Sequence, residues 1–145
     1  HWGHINFTKA DITFDGDAIS TGNFIVDMTS ISVDDISGGG KNRLENHLKD
    51  DDFFSVDKFN NAELEILEKS EMIDNKYLIE ANLTIKGITN PITFEMTLVA
   101  EDSYKAKLIF DRSKYDVQYR SGSFFENLGD RLILDDVELE VTLVK

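Results

Sequence analysis

Apolar and polar residues alternate along most of this chain with the two-residue period of strands that bury one face. From Ile5 to Phe14 the apolar positions are Ile5 and Phe7, then Ala10, Ile12 and Phe14. The slip of one step between Phe7 and Ala10 predicts a bulge or bend. Asp15-Gly16-Asp17 carries a tight-turn signal. The run from Ile19 to Val33 then alternates through Phe24, Val26 and Met28 and slips again at Ile31 and Val33. The two runs predict a hairpin of long strands.

Gly38-Gly39-Gly40 breaks the alternation, and Lys41 to Lys49 places Leu44, His47 and Leu48 at helical spacing. One short helix is expected there, ending at Asp50-Asp51-Asp52, because negative charge at a helix C-terminus opposes the macrodipole. After Phe53-Phe54 come four further alternating runs: Ala62, Leu64, Ile66; Tyr77, Ile79, Ala81, Leu83, Ile85; Ile92, Phe94, Met96, Leu98; and Tyr104, Ala106, Leu108, Phe110. Gly87 to Pro91 and Glu101-Asp102-Ser103 read as the hairpin turns between them. Ser113 to Asp130 has no clean period but carries Tyr115, Tyr119, Phe124 and Phe125, the composition of an ordered rim or lid. Val137, Leu139, Val141 and Leu143 form a last strand. Seven strands with one apolar face each, joined mostly by short turns, bury those faces in a sandwich or a barrel. Their length favours the barrel.

A chain of 145 residues and 16.5 kDa fits one domain over residues 1–145. The formal net charge of −13 repels phosphate backbones, so nucleic acid is not an expected partner. No cysteine is present, so there is no disulfide framework, thiolate metal site or cysteine nucleophile. The longest apolar runs, such as Phe24 to Val26, fall far short of the roughly 20 residues that span a bilayer as a helix. A signal peptide or leading strand, if the protein has one, lies ahead of His1.

Motifs for other chemistry fail on spacing. Gly38-Gly39-Gly40-Lys41 lacks the glycine that a phosphate loop needs at Asp35 and the hydroxyl it needs at Asn42. His1 and His4 point to opposite faces of a strand, without a third metal ligand. His47 shares its helix face with Leu44 and Leu48 and has no serine in a nucleophile elbow or cysteine to activate. Asp34-Asp35, Asp50 to Asp52 and Asp135-Asp136 do not match a calcium loop. Asn6-Phe7-Thr8 and Asn82-Leu83-Thr84 fit the glycosylation pattern but fall inside expected strands. No cofactor, metal site or catalytic residue is expected. What remains is ten phenylalanines, four tyrosines and three methionines, many of them on the alternating apolar faces, which suits either a filled core or the wall of a ligand pocket.

Several stretches together resemble the YceI-like family. They are Gly22 to Met28, Leu44 to Phe54, Leu83 to Phe94, Phe110 to Tyr115 and Gly122 to Asp130; the helix segment and the glycine-proline turn segment in tandem are the specific ones. The resemblance implies an extended antiparallel, lipocalin-like β-barrel with one short helix, an apolar interior that takes polyisoprenoids or other long amphiphiles, and a periplasmic or secreted location. It also implies a strand ahead of His1. Without that strand the barrel has an open seam, an edge at which a second copy of the chain can pair as a homodimer.

On this basis the expected function is carriage of a polyisoprenoid, isoprenoid quinone or fatty-acid-like lipid, not catalysis. The alternative is a filled barrel acting as an interaction module. The expected ligand contacts are Phe24, Met28, Ile79, Leu83, Phe94, Met96, Leu108 and Phe110. Phe53, Phe54, Phe124 and Phe125 are expected to shape the entrance, and Arg112, Tyr115, Tyr119 and Arg120 to meet the headgroup. Each buried CH₂ of such a ligand contributes about 0.8 kcal/mol, so the chain supplies most of the affinity and the head sets selectivity.

Overall fold

A computed structural model describes all residues from His1 to Lys145. Seven strands form one antiparallel meander in sequence order: β1 (Gly3–Asp15), β2 (Ala18–Val33), β3 (Asn61–Ile66), β4 (Lys76–Ile85), β5 (Ile88–Ala100), β6 (Ser103–Asp111) and β7 (Asp136–Val144). The sheet curls into a half-barrel, and β1 and β7 are its two unpaired edges. Helix α1 (Gly38–Lys49) follows β2, and two short 3₁₀ turns, η1 (Arg112–Tyr115) and η2 (Gly129–Arg131), lie between β6 and β7.

Local chemistry sets the irregularities. The β1–β2 register shifts between Phe7 and Lys9, where the alternation slips. A larger shift falls between His4 and Asn6, which pair with Ser32 and Asp27. The extra β2 residues are held by side chains: the Asp27 carboxylate accepts from the Thr29 amide and hydroxyl, and the Ser30 hydroxyl accepts from the Asn6 amide and donates to the Asp27 carbonyl. These bonds replace the ladder bonds lost at the bulge.

Two boundaries differ from expectation. The helix starts at Gly38, not Lys41, so the three glycines form its first turn. Its side chains close the end of β2: Glu45 accepts from the Val33 amide at 2.9 Å, and Lys41 donates to the Val33 carbonyl at 2.6 Å. The β4–β5 turn is Lys86-Gly87, both at positive φ, the two-residue form whose twist matches a hairpin. Ile88 to Pro91 therefore belong to β5, with Pro91 opposite Asn82. Proline is tolerated because β5 pairs with β6 only from Glu95 onward, so no ladder partner requires its missing N–H on that side. In the gap, η1 docks on the start of β5, where Asn90 donates to the Lys114 carbonyl and Lys86 to the Asp116 carbonyl.

The concave face is packed at its two ends. At the end nearer the β1–β2 turn, Ile19, Phe24, Ile66, Tyr77, Ile79, Ala81, Met96, Tyr104, Ala106 and Leu108 form one buried cluster. Tyr77 is tied there by a 2.6 Å bond from its hydroxyl to the Asp17 carbonyl. At the other end Met28, Ala62, Leu83, Ile85 and Phe110 are covered by Phe53 and Val56 from beyond α1 and by Tyr115 and Val117 around η1.

The long β6–β7 connection is organised by Arg112, which is buried. Its guanidinium donates to the carbonyls of Val117, Ile133 and Leu134 at 2.9 to 3.0 Å, and its amide donates to the Asp135 carbonyl. The Asp135 carboxylate accepts from the Ser121 and Ser123 hydroxyls and lies 3.8 Å from the guanidinium. Hydrogen bonds from Ser121 and Ser123, with the Arg112 charge, hold the Asp135 carboxyl below its ordinary value against the opposing effect of burial.

Three outcomes are expected. Replacing Arg112 by Met leaves three carbonyls without their donor and the Asp135 carboxylate without its counter-charge, and should cost on the order of 3 kcal/mol in urea unfolding; Lys cannot reproduce the fork and should recover only part of it. Ile79→Ala, in the fully buried cluster, should cost roughly 2–5 kcal/mol in the same assay. Because the folded pKa of Asp135 is depressed, its contribution is present above the unfolded value of about 3.9 and lost as pH falls through the folded one. Unfolding free energies measured from pH 5 down to pH 3 should therefore fall less steeply for Asp135→Asn than for the parent chain.

Candidate functional site

Between the two packed ends lies the middle of the concave face. Leu64 on β3, Ile92 on β5 and Leu139 on β7 each touch both buried clusters and yet keep part of their surface accessible. Strand periodicity points all three inward, where they stay only partly covered. Phe94, Leu98, Val141 and Leu143, with Ile12 and Phe14 from β1, continue the same partly exposed lining along the first cluster. The result is a partly accessible apolar strip, the trough, along the inner wall.

The total accessible surface agrees. It is 8944 Å², whereas a compact monomer of this mass has about 7,550 Å². A sheet that does not close on itself leaves part of its inner wall wet.

The residues expected to line a ligand divide by position. Phe24, Met28, Ile79, Leu83, Met96, Leu108 and Phe110 are each at most 7% exposed and belong to the end clusters, while Phe94 borders the trough. Phe53 is a buried member of the second cluster, with Phe54 packed against that cluster. Tyr115 is buried edge-on to Phe110 with ring centroids 5.8 Å apart, and burial raises its phenol pKa. Tyr119 meets His47 edge-on and Phe53 at a tilt and lies under the Arg120 guanidinium at 5.2 Å. The Arg112 guanidinium is engaged with backbone carbonyls, whereas Arg120, Phe124 and Phe125 are exposed on the loop.

Leu64, Ile92 and Leu139 were not among the expected contacts. Leu64 is the middle apolar position of its run, but Ile92 opens its run beside Pro91 and Leu139 is second in its own, so no local signal marks the three together. Other clefts lie elsewhere. One of about 460 Å³, of mixed character, is lined by Glu68, Lys69, Glu71, Glu80 and Glu95 together with Ile73, Tyr77 and Leu78. Another of about 360 Å³ is bounded by Lys49, Asp50, Asp51, Asp52 and Asp57. Beside the second, His47, Asp50 and Asp52 bring possible ligand atoms within 4.8 Å of one another; His47 Nε2 is 3.0 Å from the Asp52 carboxylate.

Comparison with known proteins identifies the architecture. BcnA of Burkholderia cenocepacia superposes with a TM-score of 0.74 at 20% identity, over 97% of this chain and 84% of that one. The Campylobacter jejuni YCEI protein gives 0.71 at 18%, over 97% and 82%. A polyisoprenoid binding domain from Saccharophagus degradans gives 0.57 at 12%, over 87% and 78%. At such identities the likeness establishes the fold alone. UPF0312 protein SA2479 of Staphylococcus aureus strain N315 is 34% identical over 92 residues, 63% of this chain. The chain spans about half the length of the curated relatives it matches, 49% in that case. Residues 1–145 match the YceI-like domain. The strand order, the curled sheet with its one helix and this full-length match together place the chain in the YceI-like family.

Proposed function

We propose that the protein binds a long apolar amphiphile, a polyisoprenoid or isoprenoid quinone, in the trough floored by Leu64, Ile92 and Leu139, and acts as a carrier rather than an enzyme. The observation that carries this reading is an inward-facing apolar surface left partly accessible along the middle of the sheet. The Saccharophagus degradans domain of like fold is a polyisoprenoid binder by name, which supports the same ligand class here. Transfer from water is the driving force, at about 25 cal/mol per Å² of apolar surface covered. The ordering of a flexible chain offsets part of it.

The end clusters restrict where the ligand lies. Their side chains are already covered by protein, so the chain runs along the trough and meets Phe94, with Phe24, Met28, Ile79, Leu83, Met96, Leu108 and Phe110 behind the first layer. Tyr119 and Arg120 are the headgroup candidates nearest the open loop. Work in the periplasm or outside the cell accords with a cysteine-free chain and is part of this proposal. No helix is long and apolar enough to cross a membrane.

A second reading, a filled half-barrel acting as an interaction module, is favoured by the near-complete burial of those seven side chains. The two readings separate in one experiment. Organic extraction of the purified protein followed by mass spectrometry should recover an isoprenoid lipid, or the stripped protein should take up added polyprenol or quinone. Neither recovery nor uptake would leave the second reading in place. Ile92→Asp, in the trough, should lower the bound lipid by about tenfold. Glu138→Gln on β7, an exposed position next to the trough-facing Leu139, should leave it unchanged.

A further inference from the structure

The loop between η1 and β7 carries an apolar surface that the trough does not use. Phe124, Phe125, Leu132 and Leu134 are 46–75% exposed, and Ile133 is partly so. Five large apolar side chains within eleven residues are a patch, not scattered surface residues. We propose that this loop tip is a membrane-contact surface, which seats the protein on the interface of a lipid bilayer. The inference rests on the lipid-binding reading in one respect: it places exchange of the cargo at a bilayer.

The loop cannot fold its apolar residues away, because both limbs are pinned. The Ile133 amide donates to the Arg120 carbonyl, and the Phe124 and Phe125 amides to the Ser121 carbonyl. Arg112 holds the carbonyls of Ile133 and Leu134 from below, while Ser121 and Ser123 are tied to Asp135. A Cβ on Gly122 would lie 3.1 Å from Leu132 Cδ1, so the limbs touch. The backbone at the base of the loop is therefore fixed, so insertion of its exposed side chains costs little further ordering there.

Charge selects the occupant. The chain carries a net −13, yet over the whole β6–β7 connection, residues 112–135, Arg112, Lys114, Arg120 and Arg131 balance Asp116, Glu126, Asp130 and Asp135. This stretch is thus neutral while the remainder is strongly acidic, so approach to a bilayer is least opposed at the loop. Aromatic and aliphatic tips flanked by arginines suit the boundary between headgroups and acyl chains, where the guanidinium groups reach the phosphates.

The test is flotation of the full chain with phosphatidylcholine vesicles, comparing the parent with Leu132→Ser/Leu134→Ser and with Leu134→Ser alone. The parent should float with the vesicles, with little dependence on salt, and the double variant should lose at least about tenfold in partitioning. Since both side chains are exposed, the variants should keep the parent's unfolding midpoint and its uptake of polyprenol dispersed without vesicles. Equal flotation of parent and double variant, or no flotation of the parent, would overturn the proposal. So would a dimer in vesicle-free sedimentation velocity that the double variant abolishes, since the patch would then join two copies. A parent that floats but takes up no polyprenol would retain the membrane contact and defeat the lipid-binding reading instead.

Discussion

A single sheet has only its own far wall with which to cover its apolar face, and this constraint governs the structure. Where the curl brings distant strands together, large side chains meet, as Phe14 on β1 and Tyr104 on β6 do at one end with ring centroids 5.8 Å apart. At the other end the curl alone does not suffice, and chain segments outside the sheet supply Phe53, Val56, Tyr115 and Val117. Midway, with β1 and β7 unpaired, nothing faces Leu64, Ile92 and Leu139 closely enough to bury them fully. The trough is thus the part of the inner wall that the fold leaves unsatisfied, and an apolar guest is the chemistry that would satisfy it.

Arg112 is the polar counterpart of that packing. The β6–β7 connection makes few ladder bonds of its own, so its carbonyls need donors from elsewhere. One buried guanidinium supplies three of them, and its charge is balanced at a distance by Asp135. Because the knot is made of hydrogen bonds at the base of the loop, the apolar tips are free to face outward. A loop closed by a hydrophobic core would have consumed them.

Side chains of one type therefore serve three ends. Phenylalanine packs the core at Phe24 and Phe110, borders the trough at Phe94 and projects to solvent at Phe124 and Phe125. Their alternation or clustering in the sequence is equally apolar in each case. Which end each residue serves depends on how far the opposite wall stands from it.

The strands, the bulge after Phe7, the helix with Leu44 and Leu48 on one face, and an antiparallel barrel-like fold were legible from periodicity, because period and turn chemistry are local properties. The helix start and the Lys86-Gly87 turn were misjudged by a few residues. Glycine weakens a helix without forbidding it, and proline is admitted to a strand where no partner needs its N–H. Arg112 reads as a headgroup contact because its loop is rich in aromatics; of the three carbonyls it actually meets, those of Ile133 and Leu134 are more than twenty residues away, and backbone acceptors leave no mark in a sequence. The sequence alone determined which residues are apolar and on which side of each strand they fall. Only the tertiary structure decided which of them are covered, since burial depends on the distance between walls that are brought together by closure of the sheet, and that distance is a property of no single segment.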